Sequence, residues 1–526
     1  MKILTTDVLI IGGGCAALRA ALEVARSGLR PLVISKGLPG FANCTYHSGG
    51  VLNAPKGREA IEEHVELTLR VGRSLNEREL VRVMAEQARE RVEELQALGL
   101  QVRFREERAY VVGSGPALSK ALLRAAEGAG AQLLGRLMAL DLVAEGGRAL
   151  GLVAYDYGRH AYVAFFARAI ILATGGAGAI YARSTNPMRM TGDGYAMAFR
   201  AGLKLRDMEF VQFYPLGLAD RAFTRLVPPG FAEVGRVVND LGEDLPAKYG
   251  LEDRPLAVRS RDLLSRALFL EWAAGRRTMI DLTGVPEEKL AANPFMRSFL
   301  RHLGGRRLLE ILPACHHFMG GLLVDPRCRT GLQGLFACGE VVGGIHGANR
   351  LGGNALSDCL VFGAIAGREA AAFAREAELV ADEGLAREVL EGARQGVEEA
   401  PARTGEPAER MAAIRELMWA RVGIVRDREG LEEALEELQR LEELPLRARP
   451  GRELMEAFEA KNALLVARLV AHAALLREES RGAHYRSDWP EARDEWLRSV
   501  VLEEGPGGRP RISFISPGSR SPSLSH

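Results

Sequence analysis

A run of three glycines directly after a short apolar segment constrains the fold of this chain more than any other feature. Asp7 to Ile11 has the composition of a buried strand, Gly12 to Ala17 fits the pattern GxGxxA, and Ala16 to Ala25 follows at helical spacing. A second strand is predicted from Arg30 to Ser35. In such a unit the glycines allow a tight turn and leave room for a pyrophosphate, and a small third residue lets the helix pack closely. The sequence therefore predicts a βαβ dinucleotide-binding unit at the N-terminus.

Three further glycine-containing loops lie at the ends of predicted strands or helices. Ala173 to Gly178 follows a second apolar strand, Thr191 to Gly194 opens a helix, and Phe336 to Glu340 ends a strand in a glycine and an acid. Because the carboxyl ends of parallel strands meet at one edge of a doubly wound sheet, these loops fit one dinucleotide lying across that edge. The alternative interpretation is that the loops are unrelated tight turns. The second strand ends in Ser35 and Lys36, where an NAD-binding unit would place an acid on the ribose.

The composition excludes several classes of protein. With 69 Lys and Arg against 68 Asp and Glu, the net charge is +1, so no global field draws the chain to nucleic acid or to an anionic membrane surface. The six cysteines show no CxxC pair and no clustered spacing typical of zinc or iron-sulfur sites. No apolar run reaches the roughly 18 residues that span a bilayer. We therefore expect a cytoplasmic protein without a resident metal, in which any iron-sulfur centre belongs to another chain.

The pattern of predicted elements changes along the chain and suggests its division into domains. Polar, proline-punctuated segments interrupt the strand and helix alternation, which then returns, and a charged helical region follows. We predict an α/β fold with a doubly wound dinucleotide-binding domain, an inserted α+β cap domain, a C-terminal helical bundle and a disordered tail. The predicted bounds are 1–216 and 316–390 for the two parts of the dinucleotide-binding domain, 217–315 for the cap, 397–504 for the bundle and 505–526 for the tail.

Longer motifs occur along the chain in a characteristic order. They are SGG from Ser48, ATGGAG from Ala173, TGDG from Thr191, FVQF from Phe210, SRD from Ser260, MGG from Met319, ACGE from Ala337, HGANRLGGNAL from His346, MWARVGIVRD from Met418 and ESRGAHYRSDWP from Glu479. In this order they resemble the succinate dehydrogenase and fumarate reductase flavoprotein subunits, a family that also contains L-aspartate oxidase. The resemblance covers nearly the whole chain, and HGANRLGGN is highly specific for the group.

The resemblance implies FAD as the cofactor and assigns expected contacts along it. It places Gly12, Gly13, Gly14, Cys15, Ala16 and Ala17 at the pyrophosphate, Ser35 and Lys36 near the adenosine half, Ser48, Gly49, Gly50 and Asp193 along the flavin, and Glu340, Ala355 and Leu356 at the ribityl chain and ring, with Cys44, Thr174 and Gly175 as further cofactor residues. Ser35 is common at the end of the second strand in this family.

The resemblance also predicts how the flavin is attached to the chain. Relatives with covalently bound flavin carry a histidine six residues before the first of the paired glycines, where this chain has Asn43. An asparagine cannot form the histidyl bond, so we expect non-covalent FAD. The nearby His47 is the residue to check.

For the substrate, the resemblance implies Arg261 as proton donor or acceptor, with His316 and Arg350 holding a dicarboxylate. A guanidinium presents a planar fork that matches a carboxylate with two parallel hydrogen bonds. Because the pKa of arginine lies above about 12, a neighbouring carboxylate and arginine must relay the proton.

The implied activity is hydride exchange between flavin and a small carboxylic acid, as in succinate dehydrogenase or fumarate reductase. Two alternatives stay open: an L-aspartate oxidase or a relative with another acid, and an electron-transfer flavoprotein subunit with a degenerate substrate pocket. The resemblance also implies an iron-sulfur partner subunit in a membrane-associated complex, without direct membrane insertion by this chain.

The chain departs from the family at one predicted substrate contact. The FVQFHP segment of the dehydrogenases and reductases is FVQFYP here, so Tyr214 stands where the family has a histidine. A phenol still donates a hydrogen bond but carries no positive charge at neutral pH. The identity of the acid therefore stays open.

The Thr-Glu-x-x-Arg relay of the family is difficult to locate in this chain. One alignment puts Val227, Pro228 and Phe231 at these positions and loses the relay. Another, with a short deletion, keeps Glu233 and Arg236 at the correct spacing but replaces the threonine by alanine, and this second alignment is favoured.

His316 and His317 are adjacent in sequence, and only one of them can match the family histidine. Counting back from the glycines at 320 and 321 selects His316. Adjacent side chains on an extended segment point in opposite directions, and no third ligand is suggested, so we expect no metal site here.

Overall fold

The computed structural model describes residues 1–219, 225–291, 294–506 and 509–516. Its first part alternates strands and helices as the glycine motif predicts. The elements are β1 (Lys2–Ile11), α1 (Cys15–Arg26), β2 (Pro31–Ile34), β3 (Val51–Asn53), α2 (Arg58–Val71), α3 (Arg78–Ala97), β4 (Val102–Arg105), β5 (Arg108–Val111), α4 (Ser114–Gly128), β6 (Gln132–Leu134), β7 (Leu137–Glu145), β8 (Arg148–Asp156), β9 (Ala161–Leu172), α5 (Asp193–Arg200) and β10 (Leu205–Arg206).

The rest of the chain forms the inserted region, the return to the main sheet and the C-terminal region. The inserted region contains β11 (Val211–Leu218), α6 (Phe231–Val234), β12 (Arg236–Asn239), α7 (Leu245–Lys248), α8 (Leu256–Arg259), α9 (Arg261–Ala273), β13 (Thr278–Asp281), α10 (Glu287–Ala291), α11 (Pro294–His302) and β14 (Leu308–Phe318). The return contains β15 (Gly321–Leu322), β16 (Leu335–Ala337), α12 (Asn354–Glu376) and α13 (Glu383–Arg394). The C-terminal region contains β17 (Val397–Glu399), α14 (Glu406–Arg421), α15 (Arg428–Glu443), β18 (Leu446–Ala448), α16 (Arg452–Leu476), β19 (Ser499–Glu504) and β20 (Pro510–Ile515).

The main sheet brings the carboxyl ends of four strands to one edge. Its order is β6, β2, β1, β9, β8, β7, with β16 also paired to β9. β6, β2, β1, β9 and β16 are parallel, and β7 and β8 extend the sheet as an antiparallel meander. In the register, Ile11 lies opposite both Ile34 and Leu172, and Leu172 lies opposite Ala337. The loops after these four strands therefore all begin at the same edge, where ligands bind in doubly wound folds.

Helices cover the sheet and pack closely because small residues line their contact. Val8 to Ile11 is buried, as expected for a central parallel strand covered on both faces. α1 packs against α12, where a Cβ atom on Gly363 would lie 2.7 Å from the carbonyl oxygen of Ala16. On Gly367 it would lie 2.6 Å from the carbonyl oxygen of Ala20. This close approach holds the start of α1 beside the segment that follows β16.

The inserted region has a core of its own. Buried residues between Tyr214 and Ile311 form an apolar cluster separate from the main core. Its sheet has the order β11, β14, β13, β12, and all pairings are antiparallel. β11 and β14 carry the chain out of and back to the main domain and pair directly, with Val211 opposite Phe318. The site residues on these two strands are therefore held at the junction of the two cores.

The helices predicted for the C-terminal region are present, but they share the core of the main domain. Trp419 on α14, Leu438 on α15 and Val466 on α16 belong to the same buried cluster as the central strand β1. The region also contains strands, since β19 pairs with β10 and β20. The predicted C-terminal helical domain is therefore confirmed, and its helices bury apolar residues against the main domain.

The predicted disordered tail is wrong for part of its length. Pro510–Ile515 forms β20, which pairs antiparallel with β19. The guanidinium of Arg498 stacks on the ring of Phe514, 4.0 Å from its centroid. The apolar residues inside this segment sustain a strand although its flanks are rich in Pro, Gly and Ser. Residues 507, 508 and 517–526 of the predicted tail lie outside the described residues.

The longest helix, α16, has 25 residues and is largely buried. Arg468 and His472 interrupt its most apolar stretch. Within the described ranges, no helix is long and apolar enough to cross a membrane.

Candidate active site

A cavity of 310 Å³ lies along the sheet edge at which the parallel strands end. Most residues predicted to bind the cofactor line it: Gly12, Gly13, Gly14, Cys15, Ala16, Ser35, Lys36, Cys44, Thr174, Gly175, Asp193 and Glu340. Ala17 is instead fully buried in the core, where its small side chain serves helix packing. The cavity joins the loops that were predicted to share one dinucleotide.

The glycine motif fits a dinucleotide because side chains are excluded where the backbone turns. Gly12 has a φ of 130°, and a Cβ atom there would lie 2.1 Å from the carbonyl oxygen of Ala173. A Cβ atom on Gly13 would lie 2.8 Å from Oγ of Ser35. α1 begins next to the cavity with no side-chain cap and no acidic residue in its first turn. Its N-terminus is thus available to an anion such as the pyrophosphate of FAD.

The segments predicted to contact the flavin lie next to each other. Oγ of Ser357 donates to the carbonyl oxygen of Asn53 at 2.7 Å and accepts from its backbone N–H at 3.0 Å. Nδ2 of Asn53 donates to Oδ1 of Asn354 at 2.6 Å. These bonds join β3 to the start of α12. The turn Ser48 to Gly50 precedes β3, and Ala355 and Leu356 lie in the first turn of α12, but none of these five residues lines the cavity of 310 Å³.

Glu340 places a buried carboxyl group between the cofactor loops. Its Oε1 accepts a hydrogen bond from the backbone N–H of Phe318 at 3.0 Å, and a Cβ atom on Gly176 would lie 2.3 Å from it. Burial raises the pKa of Glu340 to about 7. Near neutral pH the group is divided between its protonated and ionised forms, so it can donate or accept a hydrogen bond toward a ribityl hydroxyl.

Asp193 is paired with Lys36 in the cavity. Nζ of Lys36 donates to Oδ2 of Asp193 at 2.6 Å and to Oγ1 of Thr191 at 2.9 Å, and it lies 2.7 Å from Oε1 of Glu459. The two hydrogen bonds fix the ammonium group of Lys36, and Glu459 adds a second carboxylate at ion-pair distance. Asp193 therefore lines the cavity as the partner of Lys36, the residue predicted near the adenosine half.

The C-terminal helices contribute polar residues to this site that sequence analysis missed. Nδ2 of Asn462, on α16, donates to Oδ1 of Asp193 at 3.0 Å. Arg415, on α14, donates to the carbonyl oxygens of Ala179 at 2.8 Å and Met188 at 3.1 Å, and Met188 lines the cavity. In an amphipathic helix such polar residues have the pattern of a solvated face, so no signal in the sequence distinguishes them.

The two arginines predicted to bind substrate share one acceptor. Nη1 of Arg261 and Nη2 of Arg350 donate to Oε1 of Gln212 at 3.0 and 2.9 Å. Nε2 of Gln212 donates to the carbonyl oxygen of Arg350 at 3.0 Å and to Oδ1 of Asn349 at 2.9 Å. Gln212 belongs to the FVQF motif, yet sequence analysis assigned it no role. We call Arg261 and Arg350, which are joined through Gln212, the two-arginine pair.

Tyr214 and His316 complete the group of predicted substrate residues. The Tyr214 ring lies 5.7 Å from the Arg261 guanidinium and 5.7 Å from the imidazole of His316, measured between centres. Nδ1 of His316 is 2.8 Å from Oγ1 of Thr185. The hydroxyl of Tyr214 donates to the carbonyl oxygen of Val227 at 2.8 Å. The backbone therefore engages the hydroxyl proton of Tyr214.

The electrostatics of this group favour an anionic ligand. Burial lowers the pKa of Arg261, and burial together with Arg261 lowers the pKa of Arg350 to about 9. Burial and the two guanidinium groups hold the pKa of His316 well below its ordinary value, so its imidazole is neutral. The guanidinium groups stay charged at neutral pH, and each has only neutral acceptors among its hydrogen-bond partners in the described residues. A carboxylate placed between them would relieve their repulsion.

The structure does not support the favoured alignment of the proton relay. Glu233 accepts a hydrogen bond from the backbone N–H of Leu256 at 2.7 Å. Arg236 is exposed, and its guanidinium lies 3.9 Å from the carboxylate of Asp244. Both side chains are held by groups other than Arg261, so this alignment is wrong about the relay. The spacing of two residues in sequence cannot report the direction of their side chains.

Asn43 is bound into the loop beside the glycine motif. Its Nδ2 donates to the carbonyl oxygens of Gly13 at 3.0 Å and Phe41 at 2.8 Å, and its Oδ1 accepts from the backbone N–H of Tyr46 at 2.9 Å. The ring of His47 lies 5.5 Å from that of Tyr46. Asn43 thus braces the loop at the position where covalent relatives carry their histidine.

The adjacent histidines do not belong to a metal centre in this structure. Nδ1 of His317 lies 3.5 Å from Oε1 of Glu340, and its ring lies 5.1 Å from that of His346. His316 points instead toward Thr185. In the part of the chain that is described, no group of three or more His, Cys, Asp or Glu side chains could hold a metal ion.

Two family models match the chain. The FAD binding domain family matches residues 7–356, and the fumarate reductase flavoprotein C-terminal family matches residues 411–516. The first match alone covers more than half of the chain and includes the glycine motif and all four predicted substrate residues.

Characterised relatives are similar over almost the whole chain. A fumarate reductase (CoM/CoB) subunit of Methanothermobacter marburgensis is 36% identical, with 94% of this chain and 96% of that protein covered. The fumarate reductase flavoprotein subunit of Mycobacterium tuberculosis is 32% identical, with 97% and 96% covered. The chloroplastic L-aspartate oxidase of Arabidopsis thaliana is 31% identical, with 95% and 84% covered.

Solved structures show the same architecture. A mutant of the quinol fumarate reductase FrdA from Escherichia coli superimposes with a TM-score of 0.88 and 28% identity, covering 99% of this chain and 98% of that chain. Sdh1 from Mycobacterium smegmatis superimposes with a TM-score of 0.87 and 31% identity, covering 99% and 96%.

Proposed function

Because this chain belongs to the family of succinate dehydrogenase and fumarate reductase flavoprotein subunits, which also includes L-aspartate oxidase, we propose that it interconverts a small dicarboxylate and its alkene, as succinate and fumarate. It is an FAD-dependent oxidoreductase. The observation that carries the proposed substrate class is the two-arginine pair, in which the buried Arg350 and the half-buried Arg261 converge on one amide oxygen.

The two-arginine pair would bind the carboxylates, since each guanidinium can present two parallel donors to one carboxylate. Thr185 can donate to Nδ1 of His316, which leaves the Nε2–H free to donate to the acid. Bound FAD supplies the position that accepts or gives a hydride. Arg261 would exchange the accompanying proton with substrate carbon, and the lowered pKa that burial gives it favours release of that proton.

We propose that the cofactor is held without a covalent bond. Asn43 is engaged with the backbone of the glycine motif and has no nucleophilic nitrogen. Acid or heat denaturation of the yellow protein should therefore release all of the flavin into the filtrate. Flavin that stays on the denatured chain would contradict this proposal, and mapping of the modified peptide would then show whether His47 carries it.

We further propose that an iron-sulfur subunit carries electrons to or from this chain at the cytoplasmic face of a membrane. The similar proteins are named as subunits, and one of the matched solved structures is a quinol-fumarate reductase containing menaquinol. Co-purification of the natively expressed protein, followed by iron analysis and mass spectrometry of associated chains, tests this assembly.

Turnover by the isolated chain tests the substrate. Fumarate reduction with a reduced viologen dye and succinate oxidation with an artificial acceptor should both proceed, while L-aspartate oxidation should be slower. Faster oxidation of L-aspartate would instead assign an amino-acid oxidase. If dithionite reduces the flavin but no acid is turned over, the chain is an electron-transfer subunit with a degenerate pocket. That alternative is favoured by one observation, the engagement of Glu233 and Arg236 away from Arg261.

A further inference from the structure

A second cavity, of 250 Å³, lies where three parts of the molecule meet. The start of α9, the turn after α2 and the segment that follows α16 all contribute to its lining. Four arginines line it: Arg73, Arg261, Arg266 and Arg481. We call this space the arginine cavity.

The side chains that line the arginine cavity have an excess of positive charge. Asp262 is the one carboxylate among the lining residues, which leaves a net charge of +3 on them. His484 also lines the cavity, and burial, with the arginines near it, holds its pKa well below the ordinary value, so it adds no charge. A cavity with this excess attracts small anions from solution.

Three of the four arginines, Arg73, Arg261 and Arg266, have no carboxylate partner in the described ranges, and Arg261 already donates to Gln212. The guanidinium of Arg266 stacks on the ring of Tyr485, 4.1 Å from its centroid, and Arg73 is exposed at the turn after α2. Arg481 differs, because it donates to both carboxylate oxygens of Glu479, at 2.7 and 2.8 Å. The charges of Arg73 and Arg266 are therefore available to a ligand, and the stacking on Tyr485 holds one of them in place.

The arginine cavity adjoins the proposed substrate site. Gln212 and Arg261 line the cavity, and Gln212 joins Arg261 to Arg350 in the two-arginine pair. A carboxylate held by Arg73 and Arg266 would thus lie beside a guanidinium that also faces substrate. When the anion moved from the arginine cavity to the two-arginine pair, it would leave one set of guanidinium groups for another. It would therefore stay in contact with a positive charge during the whole transfer.

We propose that the arginine cavity is a second anion-binding site, which receives a small dicarboxylate before it reaches the two-arginine pair. The inference rests on the proposed function, because it takes the dicarboxylate to be the ligand of that pair. Positive side chains at the entrance to a site raise the association rate of an anion, and salt weakens this effect. The cavity should therefore act on the association rate and leave the final complex unchanged.

The test uses the FAD-loaded protein and malonate, a dicarboxylate that cannot be oxidised to an alkene. The variant combines Arg73→Gln with Arg266→Gln. The control combines Arg276→Gln with Arg301→Gln, which removes the same charge from two exposed positions of the inserted region outside the cavity lining. Equilibrium dialysis with radiolabelled malonate measures total binding, and the flavin absorbance change, followed by stopped flow, measures arrival at the flavin.

We expect the wild-type protein to bind a second, weaker equivalent of malonate that the cavity variant loses and the control keeps. At low salt the association rate constant should fall about 5- to 10-fold in the cavity variant, with a shallower salt dependence and an unchanged dissociation rate. Arg266→Lys, which keeps the charge, should restore most of the rate. The single variant Arg73→Gln, at an exposed position that should tolerate substitution, should show a smaller effect of the same kind.

Each other result has a distinct meaning. Malonate that perturbs the flavin but associates equally fast with the cavity variant and the control overturns the inference and leaves the proposed function standing. Malonate binding that is lost in the cavity variant but never perturbs the flavin supports the cavity and overturns the proposed function. Failure of malonate to bind to any of the proteins overturns both.

Discussion

The cofactor cavity and the two-arginine pair lie in one molecule but are constructed differently. The cofactor cavity is formed by backbone turns after consecutive strands, and its buried cation Lys36 is matched by Asp193 and Glu459. The two-arginine pair is formed by long side chains from separate elements, and its cations have neutral hydrogen-bond acceptors. A site with matched charge is stable before its ligand arrives, whereas a site with unmatched charge gains its counter-ion from the ligand.

This difference predicts that substitutions in the two regions have separable effects. Changes in the two-arginine pair should alter turnover or substrate affinity and leave FAD content intact. Changes around Lys36 should alter FAD affinity and leave the kinetics of the loaded protein intact. A variant that disturbs both properties would show that the regions are coupled.

The largest effect is expected for Arg261→Lys. Lysine keeps the charge but lacks the planar guanidinium, which can donate to Gln212 and to substrate at the same time. Its ammonium group should therefore be poorly positioned to exchange a proton with the acid. Turnover should fall by about 10²- to 10⁴-fold while FAD content stays normal. Arg259→Lys, an exposed position on α8, is the matched control. Turnover within a factor of about two of the control would remove Arg261 from its proposed role.

The second-largest effect is expected for Arg350→Lys, which removes the planar guanidinium from the buried arginine of the pair. The loss of one charge-assisted hydrogen bond, worth about 1.5 to 3 kcal/mol, should raise the Michaelis constant for dicarboxylate about 10- to 100-fold. FAD content, measured from the ratio of flavin to protein absorbance, should stay normal. Loss of FAD instead would make Arg350 a cofactor residue and would weaken the contrast between the two regions.

A smaller effect, in the other region, is expected for Glu459→Gln. The change keeps the size of the side chain and removes one of the two negative charges beside Lys36. The dissociation constant for FAD, measured by fluorescence titration of the apoprotein, should rise about tenfold, because Lys36, which lines the cavity, loses one of the two carboxylates that hold its ammonium group. The Michaelis constant of the loaded protein should be unchanged. Glu456→Gln on the same helix, which removes only a pair with Arg452, is the control and should bind FAD normally.

The smallest effect is expected for Tyr214→His. The phenol donates to Val227, so the wild-type site lacks one donor to the acid, and an imidazole would return it. The Michaelis constant for succinate or fumarate should fall about 3- to 10-fold, in a substrate panel run with both proteins. If dicarboxylate turnover does not improve and another unsaturated or amino acid is the better wild-type substrate, the dicarboxylate assignment fails while the flavoprotein assignment remains.

Much of the fold could be predicted because its signals are local. The strand, glycine turn and helix between Asp7 and Ala25 are present as β1 and α1, and a separate apolar cluster lies between Tyr214 and Ile311. The error in the tail, and the core that the C-terminal helices share with the main domain, both concern relations between distant segments. The strand at Pro510–Ile515 depends on its partner β19, and the C-terminal helices depend on the main core that they cover. Neither partner is visible within the segment itself.

The sequence by itself determined the cofactor class and the glycine loops that line the cavity, because a glycine turn after a buried strand is a backbone requirement that few other residues meet. The tertiary structure alone decided how charge is distributed between the sites. It placed Glu459 of α16 against Lys36 after β2, set Gln212 between Arg261 and Arg350, and turned the hydroxyl of Tyr214 toward Val227. These contacts depend on side-chain direction and on packing between elements far apart in the chain. Residue type and sequence spacing give no information about either of them.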